Sequence, residues 1–127
     1  MNLKVLLIDD DEVVLMLHDL MIKECSLSAA THAFKGGLEA LEYLMENDST
    51  EAHYLIFLDI HMPVMNGLAA TRLLKSDPET KHIKIIAVTS FAMKGDMEKV
   101  LEAGCADYIA KPVNTRQLPE IVRKILS

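Results

Sequence analysis

The fold is decided by the stretch Tyr54-Leu55-Ile56-Phe57-Leu58-Asp59, a short apolar run that ends at a carboxylate. An apolar run of this length, rich in Ile, Leu and aromatic residues, is typical of a strand that is buried on both faces of a sheet. Residues 60–67 contain Pro63 and end at Gly67, so they predict a loop. Asp59 is then expected at the carboxyl end of the strand, which is where open parallel sheets bind ligands.

Three other apolar runs along the chain also end at polar residues. They are residues 3–8 before Asp9-Asp10-Asp11, residues 83–88 before Thr89-Ser90, and residues 106–110 before Lys111-Pro112. If these strands are parallel neighbours, their carboxyl ends meet at one edge of the sheet, which we call the rim. Acids, a hydroxyl and an ammonium would then converge there, and this convergence is the basis of the functional hypothesis.

The composition indicates one globular domain and no nucleic-acid or membrane partner. A chain of 127 residues has room for one core, so a single domain over residues 1–127 without an output domain is expected. The net charge of -6 and the scattered Lys and Arg residues argue against phosphate-backbone binding. No apolar run approaches the roughly 18 residues that span a bilayer, and no signal-peptide pattern opens the chain, so a cytoplasmic protein is expected.

Strands alternate with helices five times along the chain, which predicts an α/β fold with a parallel sheet and helices on both faces. The predicted strands are 3–8, 28–34, 54–58, 83–88 and 106–110, and the predicted helices are 11–23, 38–46, 67–74, 94–103 and one that ends near Leu126. Asp11 is the expected N-cap of the first helix, and Gly104 is expected to end the fourth. Pro119 favours a start near Leu118 for the last helix, because proline suits the first helical turn.

Apolar spacing predicts which helix faces point into the core. The expected inward residues are Val13, Val14, Leu17, Leu20 and Met21 in the first helix, Leu38, Leu41 and Leu44 or Met45 in the second, and Ile121, Val122 and Ile125 in the last. Cys25 and Cys105 lack metal-type spacing and are interpreted as reduced residues in or near the core. His18, His32, His53 and His82 show no ligand spacing and are expected at the surface or an edge.

The acids at the predicted rim indicate a metal site. Asp9, Asp10 and Asp59 would lie within a few ångströms of one another, and each close pair would repel by about 4 kcal/mol. Such a group needs a cation or protonation to be tolerated, and Mg²⁺ suits carboxylates, water and phosphate oxygens. The alternative is that residues 9–12 only cap a helix within a solvated acidic turn, although Asp59 at the end of another strand weakens that interpretation.

Thr89 and Lys111 are hydrogen-bond donors expected beside these acids. A carboxylate, a metal and such donors suit phosphoryl transfer, where catalysis consists mainly of positioning and charge neutralisation. A carboxylate held in line can itself be the nucleophile and form an aspartyl phosphate. The alternative interpretation, if each residue is considered alone, is that Lys111 is an exposed lysine before a turn and Thr89 an ordinary hydroxyl at a strand end.

Four motifs, in order and over essentially the whole chain, resemble the receiver domain of two-component response regulators. They are Ile8-Asp9-Asp10, residues 58–67, Val88-Thr89-Ser90 and residues 108–112. Residues 88–105 are most similar to single-domain regulators and to receivers of hybrid histidine kinases. The resemblance implies five strands in the flavodoxin-like, CheY-like order 2-1-3-4-5 with five flanking helices.

The resemblance also implies a phosphorelay function and the residues that bind metal and phosphate. Asp59 corresponds to the phosphoacceptor, which takes a phosphoryl group from a phosphohistidine on a histidine kinase or a histidine phosphotransfer protein. Asp10 corresponds to a direct Mg²⁺ ligand, and Asp9 to the acid that binds the metal, often through water. The backbone carbonyl of His61 corresponds to the third protein ligand. No enzymatic activity is implied beyond the chain's own phosphorylation and dephosphorylation.

The remaining motif residues correspond to the switch and its output. Thr89 corresponds to the hydroxyl that moves toward the phosphate, and Tyr108 to the aromatic ring that changes position. Lys111 corresponds to the phosphate-pairing lysine, and the bond to Pro112 to a cis peptide. The implied output face is formed by the fourth helix, the fifth strand and the fifth helix. Met93 and Met97 are either part of that downstream protein-binding surface or packed into the core.

The lifetime of the phosphorylated form is expected to depend on residues that border the approach of water. His61 and Phe91 are candidates for this role. Phe91 is bulky and cannot orient water by hydrogen bonding, so slow self-dephosphorylation is predicted.

Three other classes of protein fit the sequence less well. A haloacid dehalogenase-type phosphatase needs a second Asp two residues after its nucleophile, where this chain has His61. A flavodoxin-type FMN carrier needs a first loop that cradles phosphate, whereas Asp9-Asp10-Asp11 would repel it. A receiver that acts as a phosphorylation-independent interaction module is disfavoured by the intact acids together with Thr89 and Lys111.

Overall fold

The computed structural model describes residues 3–24, 29–46, 53–60, 67–78, 80–89, 94–111, 113 and 116–126. The strands are β1 (Leu3–Ile8), β2 (Ala29–Phe34), β3 (His53–Asp59), β4 (Lys84–Thr89) and β5 (Asp107–Ala110). The helices are α1 (Glu12–Glu24), α2 (Gly37–Glu46), α3 (Gly67–Ser76), α4 (Lys94–Ala103) and α5 (Gln117–Leu126). All ten elements agree in type with the sequence prediction, and their ends differ from it by up to two residues.

The five strands form one parallel sheet in the order β2-β1-β3-β4-β5, which confirms the predicted fold. Ile8 at the end of β1 lies opposite Phe34 on one side and Leu58 on the other. Asp59 lies opposite Val88, and Thr89 opposite Ala110. This register brings the carboxyl ends of β1, β3, β4 and β5 to one rim.

Alternate residues of the central strands point to opposite faces of the sheet and build two cores. The first core combines Leu6, Ile8, Ile56, Leu58, Ile85 and Ala87 with residues of α2, α3 and α4. The second combines Val5, Leu7, Leu55, Phe57, Ile86 and Val88 with residues of α1 and α5. The apolar run of β3 is therefore buried on both faces, as the uninterrupted hydrophobicity of residues 54–58 predicts.

The helix ends follow from local chemistry. The carboxylate of Asp11 accepts a hydrogen bond from the amide of Val13 at 2.9 Å, so Asp11 is the N-cap of α1 as predicted. Gly104 follows the last residue of α4 with a φ of 112°. An added Cβ there would lie 2.7 Å from Cγ of Lys75, so glycine is required both by conformation and by space. α5 begins at Gln117, which places Pro119 in its first turn, where amides have no intrahelical acceptor.

The predicted inward face of α1 is only partly confirmed, because Met21 packs against the second core but three of the five expected residues are exposed. The buried residues are Leu15, His18 and Ile22, whereas Val13, Leu17 and Leu20 are exposed. Residues 13–17 are all apolar, so apolar spacing alone is compatible with two different inward faces of α1. One of these faces contains His18, and the prediction therefore chose the other. The expectation that His18 lies at the surface is wrong for the same reason.

The other predicted helix faces are largely confirmed. In α2, Leu44 is buried and Leu41 packs against the first core, but Leu38 and Met45 are exposed. In α5, Ile121 and Val122 are buried and Ile125 packs against the second core. Cys105 is a buried free thiol, as expected, and Cys25 lies outside the described residues.

Candidate functional site

Hydrogen bonds to the backbone hold both the amide and the carboxylate of Asp9 at the rim. It follows the last residue of β1, and its amide donates to the carbonyl of Phe34 at the end of β2 at 3.0 Å. Its carboxylate accepts the amide of Asp11 at 2.9 Å. The side chain is buried, so its charge is held close to the neighbouring strand ends rather than in solvent.

Asp59 ends β3, the neighbour of β1, and Thr89 ends β4, the next strand along the sheet. The pairing of β3 with β4 continues past Asp59, because the amide of Ile60 donates to the carbonyl of Val88 at 3.2 Å. Asp59 is 5% exposed and Thr89 2% exposed, so both side chains are largely shielded from solvent. The amide of Lys111 donates to the carbonyl of Thr89 at 2.8 Å, which places the lysine at the same edge.

The ammonium of Lys111 lies between the two buried carboxylates. Its Nζ donates to Oδ2 of Asp9 at 2.6 Å and to Oδ2 of Asp59 at 3.4 Å. Burial by itself would lower the pKa of Lys111, but the hydrogen bond to Asp9 and the charge of Asp59 outweigh it and raise that pKa. Lys111 therefore stays protonated and partly neutralises both acids.

Asp9, Asp10 and Asp59 form a carboxylate cluster of the kind that binds a divalent cation. Each offers an oxygen atom, and these atoms lie within 4.8 Å of one another. Asp10 is exposed whereas the other two are buried, so the cluster opens to solvent on one side. Among the described residues, Lys111 is the ammonium that pairs with this cluster, and it pairs with Asp9 and Asp59, so excess negative charge remains. An all-oxygen donor set suits Mg²⁺.

Some of the predicted site residues are placed and others are not described. Tyr108 lies in β5 and packs, partly buried, against the first core. Met97 is partly buried in α4. His61, Phe91, Met93 and Pro112 lie outside the described residues. The structure thus brings Asp9, Asp10, Asp59, Thr89 and Lys111 to one rim.

His18 lies close enough to the site for the charges of its residues to act on it, and the sequence did not predict this position. It lies on the buried face of α1 and is 6% exposed. Burial lowers the pKa of His18, and the charges of Asp9, Lys111 and Asp59 act on it in addition, the two acids raising it and the lysine lowering it. The signal in the sequence was the spacing of Leu15, His18 and Ile22, which fits one helix face if the histidine is counted as a core residue.

The fold and this arrangement define a receiver domain, and the comparisons agree. The chain matches the response regulator receiver domain family over residues 5–123, so it belongs to that family. The receiver resemblance inferred from the four motifs is thereby confirmed. Membership also decides against the phosphatase and the flavin-carrier interpretations.

Among its relatives are polar-differentiation response regulators named DivK. The chain is 36% identical to DivK of Brucella ovis over 126 residues, covering 99% of this chain and 98% of the relative. It is 37% identical to DivK of Brucella anthropi over 122 residues, covering 96% and 94%. Both relatives match this chain along nearly their whole length.

A solved structure with the same fold is the receiver domain of the sensor histidine kinase PA1611 from Pseudomonas aeruginosa. It has a TM-score of 0.81 and 27% identity, covering 98% of this chain and 97% of that one, and it holds a magnesium ion in its active-site cleft. The receiver domain of a histidine kinase from Syntrophus aciditrophicus has a TM-score of 0.81 and 28% identity, covering 97% and 89%. Within the described residues of the present chain, no helix is long and apolar enough to cross a bilayer.

Proposed function

We propose that this receiver domain accepts a phosphoryl group on Asp59 from a phosphohistidine of a histidine kinase or histidine phosphotransfer protein, in a Mg²⁺-dependent reaction. The observation that carries the proposal is the convergence of Asp9, Asp10 and Asp59 within 4.8 Å, with the ammonium of Lys111 beside two of them. The negative charge of such a site favours a divalent cation, and that cation together with Lys111 would favour an incoming phosphoryl group.

The transfer is a displacement at phosphorus. An oxygen of Asp59 forms the new P–O bond while the donor's P–N bond breaks, and its electron pair stays on the imidazole nitrogen, which takes a proton from solvent. Bound by Asp9, Asp10 and Asp59, with the His61 carbonyl as a further expected ligand, Mg²⁺ would supply positive charge beside the phosphoryl oxygens. Lys111 would donate to one of these oxygens.

The buried position of Thr89 and its backbone link to Lys111 support a role as the switch hydroxyl. A phosphoryl group on Asp59 would offer Thr89 a new acceptor, and Tyr108 on the neighbouring strand would respond. We expect this to reshape a downstream protein-binding face made by α4, β5 and α5. Apart from its own phosphorylation and dephosphorylation, the chain is proposed to have no enzymatic activity.

The proposal is tested by incubating the protein with acetyl phosphate and Mg²⁺ and separating the products on a phosphate-affinity gel. We expect a shifted band for the wild type, and none for Asp59→Asn or in the presence of EDTA. Asp77→Asn, which alters an exposed acid after α3, is the matched control and should shift like the wild type. A wild type that stays unlabelled would instead support a phosphorylation-independent interaction module.

A further inference from the structure

The two edges of the sheet differ in how they are protected against pairing with another strand. β5 has four residues and carries Asp107, whose carboxylate accepts the amide of Tyr108 at 2.8 Å and pairs with the ammonium of Lys124 at 3.5 Å. β2 has six residues, Ala29–Phe34, and contains no Lys, Arg, Asp, Glu or Pro. Short length and charge are common devices that keep a sheet edge from pairing, so β5 is protected in a way that β2 is not.

The backbone of β2 points alternately toward β1 and away from it. The carbonyl of Phe34 accepts the amide of Asp9 at 3.0 Å, so the backbone of Phe34 points toward β1. The amide and carbonyl of a strand residue point to the same side and alternate along the strand, so those of Ala29, Thr31 and Ala33 point away from β1. Within the described part of the chain β2 pairs with β1 alone, which leaves these three positions without a strand partner.

We propose that two copies of this chain associate through β2, which pairs with β2 of the second copy in antiparallel orientation and joins the two sheets into one. A two-fold axis makes identical strands antiparallel and lets one residue face its own symmetry mate. With Thr31 on the axis, Ala29 of each copy faces Ala33 of the other. All three outward positions are then used, which gives about six backbone hydrogen bonds, and a threonine opposite a threonine is a favourable pair.

The distribution of charge favours a second copy in this orientation. The carboxyl end of β2 lies at the acidic rim, because Phe34 is bonded to Asp9. Antiparallel pairing therefore places the two rims at opposite ends of the joined sheet and keeps their carboxylates apart, although each chain has a net charge of -6. The paired strands bring no like charges opposite one another. Both carboxylate clusters also stay open to solvent.

The interface is small, so the association is weak. A six-residue edge is well below the roughly 20–30 residues on each side that a stable dimer uses. The surfaces beside β2 enlarge it. On one face, Thr31 and Ala33 help to line a recess of about 170 Å³, and on the other His32 lies against the ring of Tyr43 with 5.0 Å between the ring centroids. We expect a Kd of about 0.1 mM, in the range of small and transient interfaces.

The first test is hydrogen exchange of the full chain at about 1 mM and about 20 μM, read at single amides by NMR. We expect the amides of Thr31 and Ala33 to exchange about fourfold more slowly at the higher concentration, because most of the protein is then dimeric. The amide of Ala110 is the matched control. It points away from the sheet on the β5 edge, since its neighbour Lys111 donates to Thr89, and its exchange should not depend on concentration.

Exchange of Thr31 and Ala33 that is the same at both concentrations would overturn the proposal. An equal slowing at Ala110 would also overturn it, because association would then not be specific to β2.

The second test is sedimentation equilibrium at about 1 mM with two variants of Thr31. Thr31→Pro removes one outward amide at an edge position where proline is tolerated, whereas Thr31→Val keeps the amide and a β-branched side chain. The weight-average mass of the wild type and of Thr31→Val should approach twice that of the monomer, and Thr31→Pro should remain monomeric. A monomeric wild type, or Thr31→Pro that associates as the wild type does, would refute pairing through β2. Should Thr31→Pro fail to fold, the exchange measurement on the wild type decides alone.

Discussion

Lys111 is the residue on which the charge balance of the site depends. Its ammonium lies closer to Asp9, at 2.6 Å, than to the proposed phosphoacceptor Asp59, at 3.4 Å. In this arrangement the lysine occupies an oxygen of Asp9 that a divalent cation would also use. Lys111 and the cation are therefore expected to compete, although both would favour a phosphoryl group on Asp59.

Replacing Lys111 with methionine is expected to tighten Mg²⁺ binding by about tenfold, or ~1.4 kcal/mol, because the competing charge leaves the carboxylate cluster. Isothermal titration calorimetry with Mg²⁺ measures the change directly. Lys124→Met is the control, since Lys124 pairs with Asp107 at 3.5 Å on the surface. Equal or weaker Mg²⁺ binding in Lys111→Met would show that the lysine does not compete for the cluster.

His18 makes stability depend on pH. Burial lowers its pKa, so the folded chain prefers the neutral imidazole, whereas the unfolded chain takes up a proton near the ordinary value of about 6.5. Between the folded pKa and that value the unfolded state binds more protons. The contribution of His18 to the free energy of unfolding is therefore complete above that range. It decreases as the pH falls through the range and stops decreasing below the folded pKa.

The variant His18→Leu is expected to remove this loss, because leucine suits the buried position and does not titrate. Urea unfolding at about pH 7.5 and about pH 5 should show a smaller drop in the free energy of unfolding for His18→Leu than for the wild type. His82→Leu, at an exposed position after α3, is the control and should retain the wild-type drop. The same drop in His18→Leu and the wild type would assign the acid sensitivity to other groups.

At the scale of elements, strands and helices differ in how well the sequence predicts them. The run at residues 54–58 permits a single interpretation, because it is apolar at every position and short. Helix α1 permits two, because residues 13–17 are apolar throughout, and the packing of α1 against the sheet and α5 selects Leu15 and Ile22. The convergence of the rim residues was predictable from strand ends, whereas the closer pairing of Lys111 with Asp9 depends on side-chain geometry.

The two faces of α1 can be told apart by alanine substitution. Ile22 is 2% exposed, so Ile22→Ala should reduce the free energy of unfolding by about 2–4 kcal/mol through lost burial and a cavity. Leu20→Ala, on the exposed face of the same helix, should change it by about 0.5 kcal/mol or less. Urea denaturation of both variants measures the difference. A large loss of stability in Leu20→Ala and a small one in Ile22→Ala would show that the face predicted from apolar spacing is the buried one.

At the scale of the whole molecule, the parallel sheet concentrates negative charge at one rim. Parallel strands deliver Asp9 and Asp59 to neighbouring positions, and the turn after β1 adds Asp10. Two cores, one on each face of the sheet, hold these strand ends in place against the repulsion. A bound cation would relieve this repulsion, so we expect metal binding and stability to be coupled.

Asp10→Asn is expected to change stability in opposite directions with and without Mg²⁺. Without the metal, loss of one charge from the cluster reduces repulsion, so the variant should melt at a higher temperature than the wild type. With Mg²⁺ at about 100 times its wild-type Kd, the wild type should gain about 2.7 kcal/mol and the variant much less, so the order should reverse. Thermal melts in EDTA and in Mg²⁺ measure both, with Asp77→Asn as the control. If Asp10→Asn keeps the full Mg²⁺ stabilisation, Asp10 is not a ligand, and Asp9 and Asp59 hold the cation without it.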